Sequence, residues 1–237
     1  MSPPHQRAKM TYLLADYIAK VRTRLMEVDS SLEISEEDIK SAISTGLAYH
    51  SRFIPRRVVA DLTSTGTYDL ALPTTWDASF STIISIEYPL GTQVPVLLSP
   101  NNYMIYASPT GQVLRLLGTT PASGAKARVT FTAPHSVTYE ESSITDGDFE
   151  AVSGICAAMA ARILAARYAR AWDPTLMVDV VNFRAKAQEY LSLARELEII
   201  WRVSMGIGDK GYGPAMTYRD WDSSFSTGGR LLTHPRH

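Results

Sequence analysis

The side chains best suited to proton transfer or metal binding are five histidines, and their spacing forms no recognisable site. They are His5, His50, His135, His234 and His237. Three of them lie in the terminal tails, and none stands at a metal-ligand spacing such as H-E-x-x-H. A histidine on the apolar face of a helix more often packs than catalyses. We therefore predict that His50 is a packed or interfacial residue.

An acidic group at Asp146, Asp148 and Glu150 superficially resembles a calcium loop. It lacks the spaced oxygen ligands and the bidentate glutamate of such a loop, so we interpret it as the charged N-terminus of a helix. No phosphate loop, dinucleotide fingerprint or G-x-S-x-G elbow occurs. A triad built from distant positions leaves no local mark, and nothing here signals one. We therefore predict from the sequence that the protein is not an enzyme and that it has no catalytic, cofactor-binding or metal-binding residues.

Composition is that of an ordinary globular protein: 237 residues, 45% hydrophobic and 20% charged, with a net charge of −1. This charge gives no electrostatic case for binding nucleic acid or an anionic membrane. The single cysteine, Cys156, excludes an intrachain disulfide, and its alanine-rich surroundings predict a buried thiol. No uninterrupted apolar run approaches the roughly 20 residues of a membrane span, and the polar N-terminus lacks a signal-type core. We expect synthesis in a reducing cytoplasm and no membrane partner.

Two helices are predicted before residue 56. Thr11 is the expected N-cap of the first, whose apolar face is formed by Leu14, Ile18, Val21, Leu25 and Val28. Ser35 is the expected N-cap of the second, because three acidic residues follow it and complement the helix dipole. Pro55 ends this helix.

From residue 57 the period changes from helical to alternating. Short runs rich in valine, isoleucine, threonine and tyrosine alternate with turn residues, which predicts strands at 58–62, 68–72, 83–88, 94–98, 103–106, 113–117 and 127–132. No helix of useful length fits between them. The sequence therefore predicts an antiparallel sandwich or a small barrel.

Helix returns after Asp148 with an alanine-rich segment, and Asp173-Pro174 separates it from a long last helix. Along the last helix two rows of apolar residues, each with a seven-residue spacing, form one stripe. We predict that this stripe packs on other helices or forms a subunit interface, and its candidate residues are Leu176, Phe183, Tyr190, Leu197 and Trp201.

Residues 207–237 break the helical pattern with five glycines and two prolines. A solvated tail normally lacks aromatic residues, because low hydrophobicity keeps a chain disordered. This segment nevertheless contains four, which we interpret as anchors of an arm that docks on a partner: Tyr212, Tyr218, Trp221 and Phe225.

These elements predict an α+β fold in which a bundle of about four helices carries an inserted β module and an extended C-terminal arm. The predicted divisions are an N-terminal helical hairpin at 1–56, the β module at 57–134, a C-terminal helical hairpin at 135–206 and the arm at 207–237. The β module is thus an insertion between two halves of one helical domain.

In the order of its parts the chain resembles the head-to-tail adaptors, or connectors, of tailed bacteriophages. The resemblance includes the helix start at 35–40 (SEEDIK) and the β segments at 66–70 (GTYDL) and 83–89 (IISIEYP), with Leu72-Pro73 and Trp76 between them. It implies a ring, commonly of twelve copies, located beneath the portal in the neck of the virion. It also implies that the ring extends the DNA channel and docks the next neck or tail protein. Genomic DNA would pass through the lumen without sequence-specific binding.

Two other classes stay open. One is another phage particle component, such as a tail terminator or a minor capsid protein, which should be mostly β. The other is a carbohydrate-binding protein or hydrolase that uses aromatic residues of the β module as platforms, namely Trp76, Tyr88, Tyr103 and Tyr106. Basic clusters at residues 20–24 and 162–170 are interpreted as solvated faces with local ion pairs, or as charges matched between subunits or lining a ring lumen.

Overall fold

The computed structural model describes residues 11–25, 34–109, 111–170 and 179–208, with side chains of the last helix from Lys186 onward. These ranges contain four helices: α1 Leu14–Arg24, α2 Glu36–Phe53, α3 Phe149–Arg170 and α4 Asp179–Ser204. They also contain six strands: β1 Arg56–Thr63, β2 Asp69–Ala71, β3 Ile83–Glu87, β4 Tyr103–Ser108, β5 Gly111–Leu116 and β6 Lys126–Ala133. The predicted α+β class is confirmed.

The starts of the two N-terminal helices show how far side-chain caps can be predicted. At α2 the Oγ of Ser35 accepts a hydrogen bond from the Asp38 backbone N–H at 3.2 Å, so the predicted cap is confirmed. The prediction of Thr11 for α1 was wrong, because α1 begins at Leu14 with Leu13 as its N-cap. There the Asp16 carboxylate accepts from the Leu13 backbone N–H at 2.8 Å, and this contact from inside the helix replaces a capping hydroxyl.

Helix α3 is the centre of the helical domain. Most of its residues from Val152 to Ala161 are small, and they are buried on every face against the other three helices. Within the described residues, Asp146–Arg170 is the one helix long and apolar enough to cross a membrane, but 72% of its apolar window is buried inside the protein. That burial identifies it as a core helix.

Helices α2 and α3 meet at a contact that only glycine permits. A Cβ added to Gly46 would lie 2.8 Å from the Cys156 Sγ and 2.9 Å from the Cys156 Cα. Cys156 is fully buried, as expected, and burial raises the pKa of its thiol to about 12. The thiol therefore stays protonated and inert at neutral pH.

Helix α4 ends in a hydrogen-bonded C-cap. Gly206 has a φ of +66°, and the Ile207 backbone N–H donates to the Arg202 carbonyl at 2.9 Å. The Ile207 side chain is buried in the helical core. The predicted arm begins at residue 207, but this residue belongs to the helical domain by its packing.

The β module is built from two three-stranded antiparallel sheets, ordered β1-β6-β3 and β2-β5-β4. Alternate residues of both sheets point into one shared core, whose buried members are Leu62, Leu70, Ile86, Leu114, Leu116, Ala127, Val129, Phe131 and Ala133. The β module is therefore a small sandwich. Among the described residues, its core shares no member with the helical core.

The predicted strand at 94–98 was wrong. This segment touches the edge of β3 through only two backbone bonds, from Tyr88 N–H to the Val96 carbonyl at 2.9 Å and from Leu98 N–H to the Ile86 carbonyl at 2.8 Å. Pro95 has no N–H to extend the pairing. Val94, Val96 and Leu97 are exposed as a result.

Candidate functional site

The inner face of α4 fixes this helix on α2. Leu197 and Trp201 are buried, and the Trp201 ring lies 5.3 Å from the Tyr49 ring and 5.5 Å from the Phe53 ring. The Trp201 Nε1–H also donates to His50 Nδ1 at 3.3 Å. Two of the residues predicted for packing or an interface thus pack within the subunit.

A half-buried carboxylate joins three helices beside this contact. Glu198 Oε1 on α4 accepts from the Tyr49 hydroxyl on α2 and from Arg202, both at 2.9 Å, while its Oε2 pairs with Arg162 on α3. Burial raises the pKa of Glu198, but the hydrogen bonds from Tyr49 and Arg202 outweigh it and hold this pKa below its usual value. The carboxylate stays charged and ties the helices together.

The outer face of α4 carries apolar side chains that nothing described covers. Leu191, Ile199, Ile200 and Val203 are exposed, the last at 75%. We call Ile199, Ile200 and Val203 the α4 patch, because Leu191 lies about two turns earlier on a different side of the helix. At about 100° per residue, Ile199 and Val203 lie on the side of the helix opposite Leu197 and Trp201. A group of neighbouring exposed apolar residues is a candidate interaction surface.

A groove lies along the outer side of α2. Its volume is about 410 Å³, and it is lined by Lys40, Ile43, Ser44, Leu47 and Ala48 of α2, with Leu14 and segment 134–137. Ile43 and Leu47 are buried and form its floor, whereas Ser44 and Ala48 are exposed. We call this feature the α2 groove.

The joint between the two modules is held by His135, which lies beside His50. His135 Nε2–H donates to the Ile54 carbonyl at 3.1 Å, and the His135 backbone N–H donates to the Ser51 Oγ at 2.9 Å. The two passages of the chain into and out of the β module are thus bonded to each other. His50 is 1% exposed, and its ring lies 5.1 Å from that of His135.

Both imidazoles at the joint are held neutral. Burial and the neighbouring His135 lower the pKa of His50 to about 4, and burial also lowers the pKa of His135. The prediction that His50 packs is confirmed. Its ring accepts the Trp201 hydrogen bond, which requires Nδ1 to carry no proton.

The aromatic residues proposed as sugar platforms do not share a face. Trp76, Tyr88 and Tyr103 pack against the β core, and the Trp76 Nε1–H donates to Gln112 Oε1 at 2.9 Å. Tyr106 lies on the opposite face of β4 from Tyr103, where the Arg115 guanidinium covers its ring at 3.7 Å. The four rings therefore do not form one continuous stacking surface.

Charged clusters form local ion pairs, as one of the two interpretations predicted. Glu150 at the start of α3 pairs with Lys20 at 2.7 Å and Arg24 at 2.8 Å, and Arg167 pairs with Asp38. Among the residues that the structure describes, no group of three histidine, cysteine, aspartate or glutamate side chains is placed to hold a metal ion. The acidic group at 146–150 serves the helix N-terminus and the contact with α1.

Comparison with known proteins gives no family assignment: no family model and no characterised protein matches the chain. Three solved structures of gene transfer agent particles resemble it. The neck of an empty particle, with C6 symmetry, has a TM-score of 0.30 at 16% identity, covering 63% of this chain and 81% of that one. The neck of a native particle, with C12 symmetry, has a TM-score of 0.28 at 15% identity, covering 77% and 93%.

The third structure is a native virion of the gene transfer agent, with a TM-score of 0.25 at 16% identity, covering 63% of this chain and 81% of that one. Likeness at TM-scores below 0.5 carries no argument about function.

The remaining predicted site residues divide into two groups. Tyr190 is half-buried and stacks on Tyr168 with ring centroids 5.6 Å apart. The others lie outside the described residues or, for Phe183, outside the described side chains: Leu176, Phe183, Tyr212, Tyr218, Trp221 and Phe225. Sequence reasoning missed the α4 patch, although the adjacent pair Ile199-Ile200 lies off the predicted stripe and is a visible sign of a second apolar face.

Proposed function

We propose that this protein is a structural subunit of a phage-type virion neck, a head-to-tail adaptor that forms a ring beneath the portal. The ring extends the DNA channel and docks the next neck or tail protein. This proposal joins the resemblance of the sequence to the adaptor family with an unpartnered apolar surface on a helical body. The four helices favour an adaptor over a tail terminator, which is mostly β.

The α4 patch is the observation that carries the proposal. A subunit of a closed ring contacts two neighbours through heterologous surfaces, and at least part of such a surface is apolar. Each Ile or Val side chain that becomes fully buried contributes about 1.5–3 kcal/mol. Burying Ile199, Ile200 and Val203 therefore stabilises each contact by several kcal/mol, before the cost of association is subtracted.

The passage of DNA requires no reading of its sequence. The chain has a net charge of −1, and its basic clusters at residues 20–24 and 162–170 are largely neutralised by ion pairs on the same subunit. A channel wall of this kind lets DNA slide without strong attachment, because affinity for DNA depends on many unpaired phosphate-binding cations.

The test is the assembly state of the full chain, measured by mass photometry and negative-stain imaging, alone and with portal-bearing heads. We expect rings in one of these two conditions. Val203→Glu should abolish them while the far-ultraviolet circular dichroism and melting temperature stay unchanged. Val94→Glu is the matched control, because Val94 is also 75% exposed but lies on a loop of the β module. Wild-type protein that stays monomeric and fails to bind heads would refute the proposal.

A further inference from the structure

We propose that the α4 patch of one copy packs into the α2 groove of the next copy, so that the ring is closed by one repeated head-to-tail contact. This inference rests on the proposed function for the existence of a ring. It adds the two surfaces that meet and the direction of the contact.

The two surfaces face away from each other on the subunit. On α2, Tyr49 and Phe53 contact α4 through Trp201. Lys40 lines the groove and precedes Tyr49 by nine residues, which is two and a half helical turns. Lys40 and Tyr49 therefore lie on opposite sides of α2, and the groove side of α2 faces away from α4. Ile199 and Val203 of the α4 patch likewise lie opposite Trp201, on the side of α4 that faces away from α2, and Ile200 lies at the edge of that side.

This opposition favours one of two kinds of assembly. An isologous dimer brings the same patch of two copies together and leaves the α2 groove empty. A heterologous contact needs two different surfaces on opposite sides of the subunit, and those are the surfaces present here. Repetition of one such contact closes into a ring when the rotation between neighbours permits it.

Shape and polarity also match. The α2 groove has a buried apolar floor of Ile43 and Leu47, and the small side chains of Ser44 and Ala48 leave room above it. The α4 patch supplies large apolar side chains at helical spacing. Helices pack when the side chains of one enter the spaces between the side chains of the other.

One exposed charge beside each surface is opposite in sign to the other, while the exposed Arg195 also borders the α4 patch one turn before Ile199. Arg52 is exposed one turn beyond Ala48, at one end of the groove. Glu196 is exposed on α4, three and four residues before Ile199 and Ile200. Complementary charges at the rim of an apolar contact fix its register and disfavour wrong pairings.

The experiment uses paired cysteines in the full chain. Ala48→Cys places a thiol in the groove and Val203→Cys places one in the patch, and a short bis-maleimide links them even if the register differs by about one helical turn. The native Cys156 is fully buried, and burial raises the pKa of its thiol, so it does not react under native conditions. Circular dichroism melts confirm that each variant is folded.

We expect the double variant to give a ladder of covalent multimers on a denaturing gel. Each single variant should give monomers only, and an equimolar mixture of the two single variants should give dimers and nothing larger, because each copy then carries one reactive end. Val94→Cys combined with Val203→Cys is the matched control and should give no ladder.

Four results would overturn the inference. Dimers from Val203→Cys alone would show that two α4 patches meet each other. Rings that form without any ladder would show that other surfaces close them, and the proposed function would stand. A ladder that appears only after residues 209–237 are deleted would show that this segment occupies the groove in the native chain. If the wild-type protein forms no ring and no ladder appears, the proposed function and the inference fail together.

Discussion

Replacing Gly46 with alanine adds one methyl group at the closest approach of α2 and α3. That methyl carbon would lie 2.8 Å from the Cys156 Sγ and 2.9 Å from its Cα. A side chain can rotate away from such a clash, but a backbone atom cannot, so the two helices must separate. Overpacking of this kind costs about 1–3 kcal/mol, and the upper end applies because the obstacle is backbone.

The same substitution also has a favourable part, since alanine is better than glycine in a helix interior by about 1 kcal/mol. We therefore expect Gly46→Ala to lower the free energy of unfolding by about 2 kcal/mol. Gly154→Ala on α3 is the matched control. Its new methyl would lie 3.5 Å from the nearest atom, the Arg24 Nη1, which is an ordinary separation. It should raise the free energy of unfolding by up to about 1 kcal/mol.

The assay is urea unfolding followed by circular dichroism, with all variants at one protein concentration because assembly is linked to stability. Adding Cys156→Ala to Gly46→Ala removes the clash with the sulfur but leaves the clash with the α3 backbone, so only part of the loss should return. A Gly46→Ala protein at least as stable as the wild type would refute the close approach of the two helices and the reasoning built on it.

Four further predictions concern the packing and the modules. Leu197→Asp should lower the free energy of unfolding by several kcal/mol, because it buries an unpaired charge on the inner face of α4; wild-type-like melting would mean that this face is solvated. Deleting residues 209–237, and keeping the buried Ile207, should leave the melting temperature unchanged while head attachment is lost, and intact head binding would show that the deleted segment anchors nothing. The His50 pKa of about 4 lies below the value of 6.5 in the unfolded chain, so the stability that neutral His50 contributes is fully present above pH 6.5 and lost as the pH falls toward 4. The free energy of unfolding, measured with urea, should decrease by on the order of 3 kcal/mol over that window. His50→Gln should remove this part of the pH dependence and leave the part due to His135, whose pKa is also lowered. Joining residue 56 to residue 135 through a short flexible linker should give a soluble helical protein, and an unfolded product would contradict the division into modules.

The sequence predicted those elements whose signals are local. Ser35 followed by three acids marks a helix start that needs no tertiary information, and alternating residues such as Val129 and Phe131 mark a strand with one buried face. The start of α1 was missed because its cap comes from Asp16, within the helix, rather than from a preceding hydroxyl. Residues 94–98 have the composition of a strand, but the chain provides them with only a short edge to pair with.

The candidate surfaces were harder to predict, because they depend on which face of each helix the neighbouring helices leave uncovered. Leu197 and Ile199 are equally apolar in the sequence, and only the positions of α3 and α2 around α4 make one a core residue and the other an exposed one. The α2 groove combines residues from α1, α2 and segment 134–137, which no sequence period connects.

The bond between His135 and the Ile54 carbonyl has a consequence for synthesis on the ribosome. Helix α2 is complete at residue 53, but its main partner α3 begins at residue 149. The ribosome adds about 5–20 residues per second, so the apolar face of α2 stays uncovered for roughly 5–20 s before synthesis of α3 begins. When the intervening sandwich folds on its own core, it carries residue 135 back beside residue 54. Without the folded sandwich, the segment between α2 and α3 would be a long loop whose ends meet only by diffusion. Folding of the sandwich before α3 is made therefore shortens the time that α3 needs to contact α2.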